Sequence, residues 1–132
     1  MKQYIATFFS CFLLVNYLPA QDSTKSKSAE GFQLKQYFFV MLTKGANRNQ
    51  DSVAAAKIQE GHIENINRMA KLGKIIVAGP FGDDTNWRGI FIFDCKTADE
   101  VKEYLKTDPA IAAGRLNYEI HPWWTGKNCL FK

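Results

Sequence analysis

Histidine is scarce in this chain, with only His62 and His121 among 132 residues. No HxxxH or clustered Cys/His pattern accompanies them, so the spacings that hold zinc and related metals are missing. Cysteine is nearly as rare, at three residues with no CxxC pair, which excludes a disulfide scaffold. A glycine-rich phosphate loop is also absent, because Gly79-Pro80-Phe81-Gly82 does not match one. The 17 basic residues are interspersed with 13 acidic ones, a net charge of +4 without any long basic run. That pattern argues against a dedicated nucleic-acid binder, which concentrates Lys and Arg into a stripe. What is present is apolar and aromatic: 46% hydrophobic residues and ten Phe, against 23% charged. Such a chain buries a real core, and its length suits one small domain.

Residues 1–20 differ from the rest. Lys2 is the only charge before Asp22, and residues 5–18 form a nearly unbroken apolar run closed by Leu18-Pro19-Ala20. A short basic start, an apolar segment and a small residue at the cut describe a secretory signal peptide. The run is shorter than the roughly 20 residues a spanning helix needs. Cys11 lies inside it, where a lipoprotein would carry its cysteine at the end. The expectation is an exported protein, periplasmic or secreted, with no stable membrane span after signal removal. Residues 21–33 are then a Ser/Lys-rich flexible lead-in, 34–126 the domain and 127–132 a C-terminal tail. Export leaves Cys95 and Cys129 in an oxidising compartment. Two ordinary thiols are the plainer reading, and a bridge between them stays open, since geometry decides it.

Within the domain the pattern alternates between strand and helix. Aromatic and β-branched residues at 34–43 predict a first strand. Asp51 offers an N-cap to a helix over 52–72, with Ala55, Ile58, Ile66 and Met69 on one stripe and Gly73 just past its end. Gly61 inside that helix predicts a kink or break. Residues 74–78 read as strand two, stopped by Gly79-Pro80, and 87–94 as strand three. Thr97-Ala98-Asp99-Glu100 is a capping box opening a helix over 98–106. Asp108-Pro109 starts a helical turn over 109–113, ended by Gly114, and 116–124 is strand four. The order β-α-β-β-α-β predicts an α+β, ferredoxin-like sandwich.

A sheet covered by helices on one side alternates apolar and polar residues. Here only strand four does so, with Leu116, Tyr118 and Ile120 against Asn117, Glu119 and His121. Elsewhere Ile90 and Ile92 oppose Phe91 and Phe93, Phe38 and Val40 oppose Phe39 and Met41, and Ile75 and Val77 oppose Ile76. Two helices cover one face, so the other needs a partner. Two copies meeting through their sheet faces, as a dimeric α/β barrel, are the simplest cover, with Trp123 and Trp124 at the seam.

Chemistry has few candidates. His62 follows Ile58 by four residues and precedes Ile66 by four, so it projects from the apolar stripe toward the sheet. It suits a general base or acid, and equally a core-edge His satisfied by a backbone carbonyl. Asp108 is an N-cap before Pro109, and a capping carboxylate can also orient an imidazole. Gly79, Pro80 and Phe81 form a corner able to line a pocket, or a plain turn. Arg88 can bind an anionic substrate, or be an exposed strand residue; Asp83 and Asp84 read as solvated. No metal or other cofactor is implied.

The segment EGHIENINRMAKLGKI with His62, the VAGPFGDD corner with Gly79-Pro80, Gly89, DPAIAAG with Asp108, and the terminal I-H-P-W resemble the YciI-like (YCII-related) family in order and spacing. The resemblance spans about residues 34–124. It implies a dimeric α+β barrel like that of muconolactone isomerases, and a His–Asp active-site pair at His62 and Asp108. Some relatives act as dehydrochlorinases on ring-derived substrates. The signal peptide and the Trp-rich tail depart from the family pattern. The resulting expectation is an exported, cofactor-independent enzyme performing lyase- or isomerase-type acid–base chemistry on a small molecule. The alternative is a non-catalytic dimeric module that binds a small ligand in the cell envelope.

Overall fold

A computed structural model describes residues 33–127 of the chain. The expected signal peptide, all but the last residue of the lead-in, and Cys129 lie outside the described residues. Four strands and three helices follow in the order β1 (Leu34–Lys44), α1 (Ser52–Lys71), β2 (Ile75–Pro80), β3 (Trp87–Phe93), α2 (Ala98–Lys106), α3 (Pro109–Ala112) and β4 (Leu116–Gly126). The sheet order is β2-β3-β1-β4, and every neighbouring pair is antiparallel. β1 and β3 hold the centre, so each β-α-β unit is split by a strand from the other half. That is the ferredoxin-like arrangement the element order predicts.

Local chemistry explains where the helices start and stop. Asp51 caps α1 by accepting the Ala54 N–H at 2.8 Å. Thr97 caps α2 through the Glu100 N–H at 3.1 Å, while Glu100 reaches back one residue further than a standard box, to the Lys96 N–H at 2.9 Å. Gly73 and Gly114 follow α1 and α3 with φ of 67° and 69°, the left-handed turn that side-chain-bearing residues resist. Gly61 does not break α1, which runs unbroken for 20 residues. A β-carbon there would come within 3.0 Å of Pro109 Cγ, so the missing side chain makes room for α3 instead of bending α1.

All three helices lie against one sheet face. Phe38, Val40 and Leu42 from β1 and Phe91 and Phe93 from β3 meet Met69, Val101 and Leu105 from the helices. Val40, Met69, Phe93, Val101 and Leu105 are fully buried. Each such side chain contributes about 1.5–3 kcal/mol relative to exposure, so this layer carries the fold.

β2 differs from expectation twice. It continues through Gly79 and Pro80, which pair with Ile90 and Gly89. Proline is tolerated because β2 is an edge strand and Pro80 its last residue. Close pairing there depends on Gly89, where a β-carbon would meet the Gly79 carbonyl at 2.6 Å. A bulge between Ile75 and Val77 also places Ile75 opposite Phe93 but Val77 opposite Ile92. Ile75 and Val77 therefore face opposite ways, Ile75 in the core and Val77 on the other side. That second face carries Tyr37, Phe39, Met41, Val77, Ile90, Ile92 and Trp123, and no described helix packs on it.

Candidate active site

α1 and the α2–α3 junction bring His62 and Asp108 together across 46 residues of sequence. Asp108 is the N-cap of α3 and has no solvent exposure. Its Oδ1 accepts the Ala110 N–H at 2.8 Å. Both carboxylate oxygens also face His62 Nδ1, at 2.8 Å (Oδ2) and 3.0 Å (Oδ1). A carboxylate offers only acceptors, so the pair is satisfied with the proton on Nδ1, which donates to Asp108. In the neutral ring Nε2 then carries the lone pair, and it makes no hydrogen bond among the described residues. One capping residue thus fixes both a helix start and a histidine tautomer.

His62 is 7% exposed, and its ring lies 6.1 Å from that of Phe91. The small exposed part opens into a cavity of about 400 Å³ between α1 and the sheet. Leu42, Ile63, Ile66, Phe91 and Leu116 supply apolar wall, Gln59 and Asn67 polar rim, and the β2–β3 pairing at Ala78, Gly79, Pro80, Arg88 and Gly89 the far side. A mostly apolar hollow of this size with a few convergent polar groups is the usual form of a small-molecule site.

The expected site residues divide accordingly. His62, Gly79, Pro80 and Arg88 line the cavity, and Asp108 stands behind His62. Phe81 does not line it; it is 38% exposed and its ring lies tilted beside that of Trp87, 6.1 Å between centroids. Continuation of β2 through Pro80 carries Phe81 past the rim. Asp84 is solvated as expected, and its Oδ1 also pairs with Arg88 Nη1 at 3.0 Å and Lys44 Nζ at 3.1 Å. The hydrogen bond and charge of Lys44, then the charge of Arg88, hold the Asp84 carboxyl below the ordinary carboxylate range.

Sequence reasoning missed Asn65. It is buried three residues after His62, and its Oδ1 accepts from Arg68 Nη2 at 2.7 Å and the Thr107 hydroxyl at 3.1 Å. This second polar link ties α1 to the residue before Asp108. A polar residue at i+3 from His62, on the stripe that ends at Met69, was its only signal. Among the described residues no three His, Cys, Asp or Glu side chains cluster as metal ligands. Cys95 is buried and unbridged among the described residues, and burial pushes its thiol up to about 11.

Several solved structures are similar to this chain, two of them as follows. Muconolactone isomerase superposes with a TM-score of 0.55 at 15% identity, over 66% of this chain and 86% of the isomerase. The 5-chloro-2-hydroxyhydroquinone dehydrochlorinase of Burkholderia phenoliruptrix AC1100, solved with 2,5-dihydroxybenzoquinone, matches at a TM-score of 0.49 and 21% identity, over 65% and 92% of the respective chains. No curated protein matches the chain. The fold is therefore of the muconolactone isomerase type. Residues 37–124, which carry most of the sheet, the His62–Asp108 pair and the whole cavity wall, match the YCII-related domain, and the chain belongs to that family.

Proposed function

We propose that this protein is a cofactor-independent enzyme that moves a proton on a small carbon acid, with His62 as catalytic base and Asp108 as its positioning residue. The observation that carries the proposal is the contact between a fully buried carboxylate and Nδ1 of a histidine whose ring borders a cavity. Nε2 takes a proton from a carbon next to a carbonyl, leaving an enolate, and Asp108 stabilises the imidazolium so formed. The enolate then recovers the proton at another carbon, an isomerisation, or expels a leaving group, an elimination. Either outcome balances without an external oxidant or reductant.

The test is deuterium wash-in. Carbonyl compounds with acidic α-hydrogens are incubated with the protein in D₂O and followed by proton NMR. The proposal expects exchange that falls about 10²–10⁴-fold in His62→Ala. Exchange that survives this substitution, or is absent throughout, overturns the catalytic reading. Ligand binding without exchange favours a binding module in its place.

Two further parts of the reading rest on sequence and surface. Pairing of two copies through the second sheet face is supported by its row of apolar side chains, from Phe39 and Ile90 to Trp123. Sedimentation equilibrium is expected to give a dimer for the native protein and a monomer for Phe39→Glu; a native monomer contradicts it. Export is supported by the apolar run of residues 1–20, and intact mass of the protein recovered outside the cytoplasm is expected to begin at Gln21.

A further inference from the structure

Arg88 is the only cavity-lining residue with a permanent charge among the described residues, and its setting is unusual for a structural ion pair. Only Nη1 is engaged, at 3.0 Å from Asp84 Oδ1, and Nε and Nη2 make no hydrogen bond among the described residues. Asp84 is no settled partner. Its side chain is 89% exposed, and the same oxygen is shared with Lys44 Nζ at 3.1 Å. Two cations thus share one carboxylate oxygen at one edge of the hollow. A pair so open to water adds little stability and exchanges readily. The rest of the lining holds no carboxylate: Asp108, beneath His62, is fully buried.

We propose that the cavity is selective for a planar organic anion, a carboxylate or enolate on a small apolar body, and that Arg88 binds its oxygens in exchange for Asp84. The inference rests on the acid–base reading of His62 and names the substrate class of that site. The guanidinium fork matches two oxygens in one plane, which a point charge does not. The apolar wall of Ile63, Ile66 and Phe91 holds the body, and the anchored anion fixes which carbon is presented to Nε2. Asp84 acts as a resident counter-ion: it keeps Arg88 paired in the empty site and leaves toward solvent when ligand enters.

Benzoate and its neutral isostere benzamide are the probes, titrated into the purified protein and followed by the amide resonances of Gly79 and Gly89 and the His62 ring. Benzoate is expected to bind about tenfold more tightly than benzamide, the gain from one charge-assisted contact in a partly exposed site. Arg88→Gln is expected to erase the preference, and Arg88→Lys to retain part of it. Asp84→Asn, which keeps Arg88 and removes its competitor, is expected to tighten benzoate binding severalfold. Equal affinities, a preference that survives Arg88→Gln, perturbations mapping away from the cavity, or weaker binding in Asp84→Asn each overturn the proposal. Benzoate preference in a protein that exchanges no deuterium keeps the anion site and removes the acid–base reading. Exchange without any preference does the reverse.

Discussion

Two aspartates of this domain hold a nitrogen at nearly the same distance in opposite surroundings. Asp108 has no exposure and accepts from His62 Nδ1 at 2.8 Å; Asp84 is 89% exposed and lies 3.0 Å from Arg88 Nη1. Distance alone makes the contacts look alike, and solvent makes them different. Around Asp108 no water replaces a lost partner, so its geometry is held by helix cap and imidazole together. Around Asp84 water competes at every step, so the pair opens without much cost. The dry pair suits a group that must be aimed, and the wet one a group that must be exchanged.

Removal of each carboxylate breaks that contrast most sharply. Asp108→Ala strips α3 of its cap and His62 of its charge-assisted hydrogen bond, and urea unfolding is expected to show a loss of about 2–5 kcal/mol. Asp84→Asn is expected to leave the urea midpoint unchanged; a comparable loss would mean that the exposed cluster is structural. Asp108→Asn keeps an acceptor for Ala110 and is expected to cost less than the alanine variant.

The cavity rim gives a second contrast of the same kind. Gly89→Ala drives a β-carbon against the Gly79 carbonyl at 2.6 Å, whereas a β-carbon at Gly79 meets nothing within 4 Å. The first is expected to cost about 1–3 kcal/mol by thermal unfolding, and Gly79→Ala to be nearly neutral. Equal effects would show that β2 does not need its close approach to β3.

Titration sharpens the difference between buried and paired groups. Burial raises the Cys95 thiol from 9.0 to about 11, so the contribution of this group to stability is fully present below pH 9 and is lost as pH rises toward 11. Cys95→Ala is expected to flatten that part of the stability profile. The peptide carrying Cys95 is also expected to resist iodoacetamide at pH 8 until the protein unfolds. Asp84 runs the other way, because its partners pull it down. Its small stabilising contribution is present above the ordinary carboxylate value and lost as pH falls through the lowered one.

Much of the fold was legible because local signals agreed. Asp51, Thr97 and Asp108 each cap a helix, Gly73 and Gly114 each end one, and the β-branched and aromatic runs are strands. The double apolar character of β1 and β3 was equally plain from alternation. The misreadings share one cause, pairing between segments distant in sequence. Gly79-Pro80 looks like a stop, yet Gly89 across the ladder lets β2 run on, and that extension carries Phe81 out of the cavity. Gly61 looks like a hinge until Pro109 is seen packed on it. The bulge at Ile76 turns Val77 to the other face, and no local motif announces it. Helix phase and cap position pointed to His62 and Asp108 singly, and only the family resemblance joined them as a pair. Their contact across 46 residues belongs to the way α1 meets the α2–α3 junction, with Asn65 and Thr107 beside it.

The direct test of the central claim is the protonation pattern of one ring, read by nitrogen-15 NMR of His62 in its neutral state. A pyrrole-like, protonated Nδ1 with a pyridine-like Nε2 is predicted for the native protein, and a shift toward the Nε2–H tautomer in Asp108→Asn. A native ring already protonated on Nε2, or one indifferent to that substitution, would contradict the account.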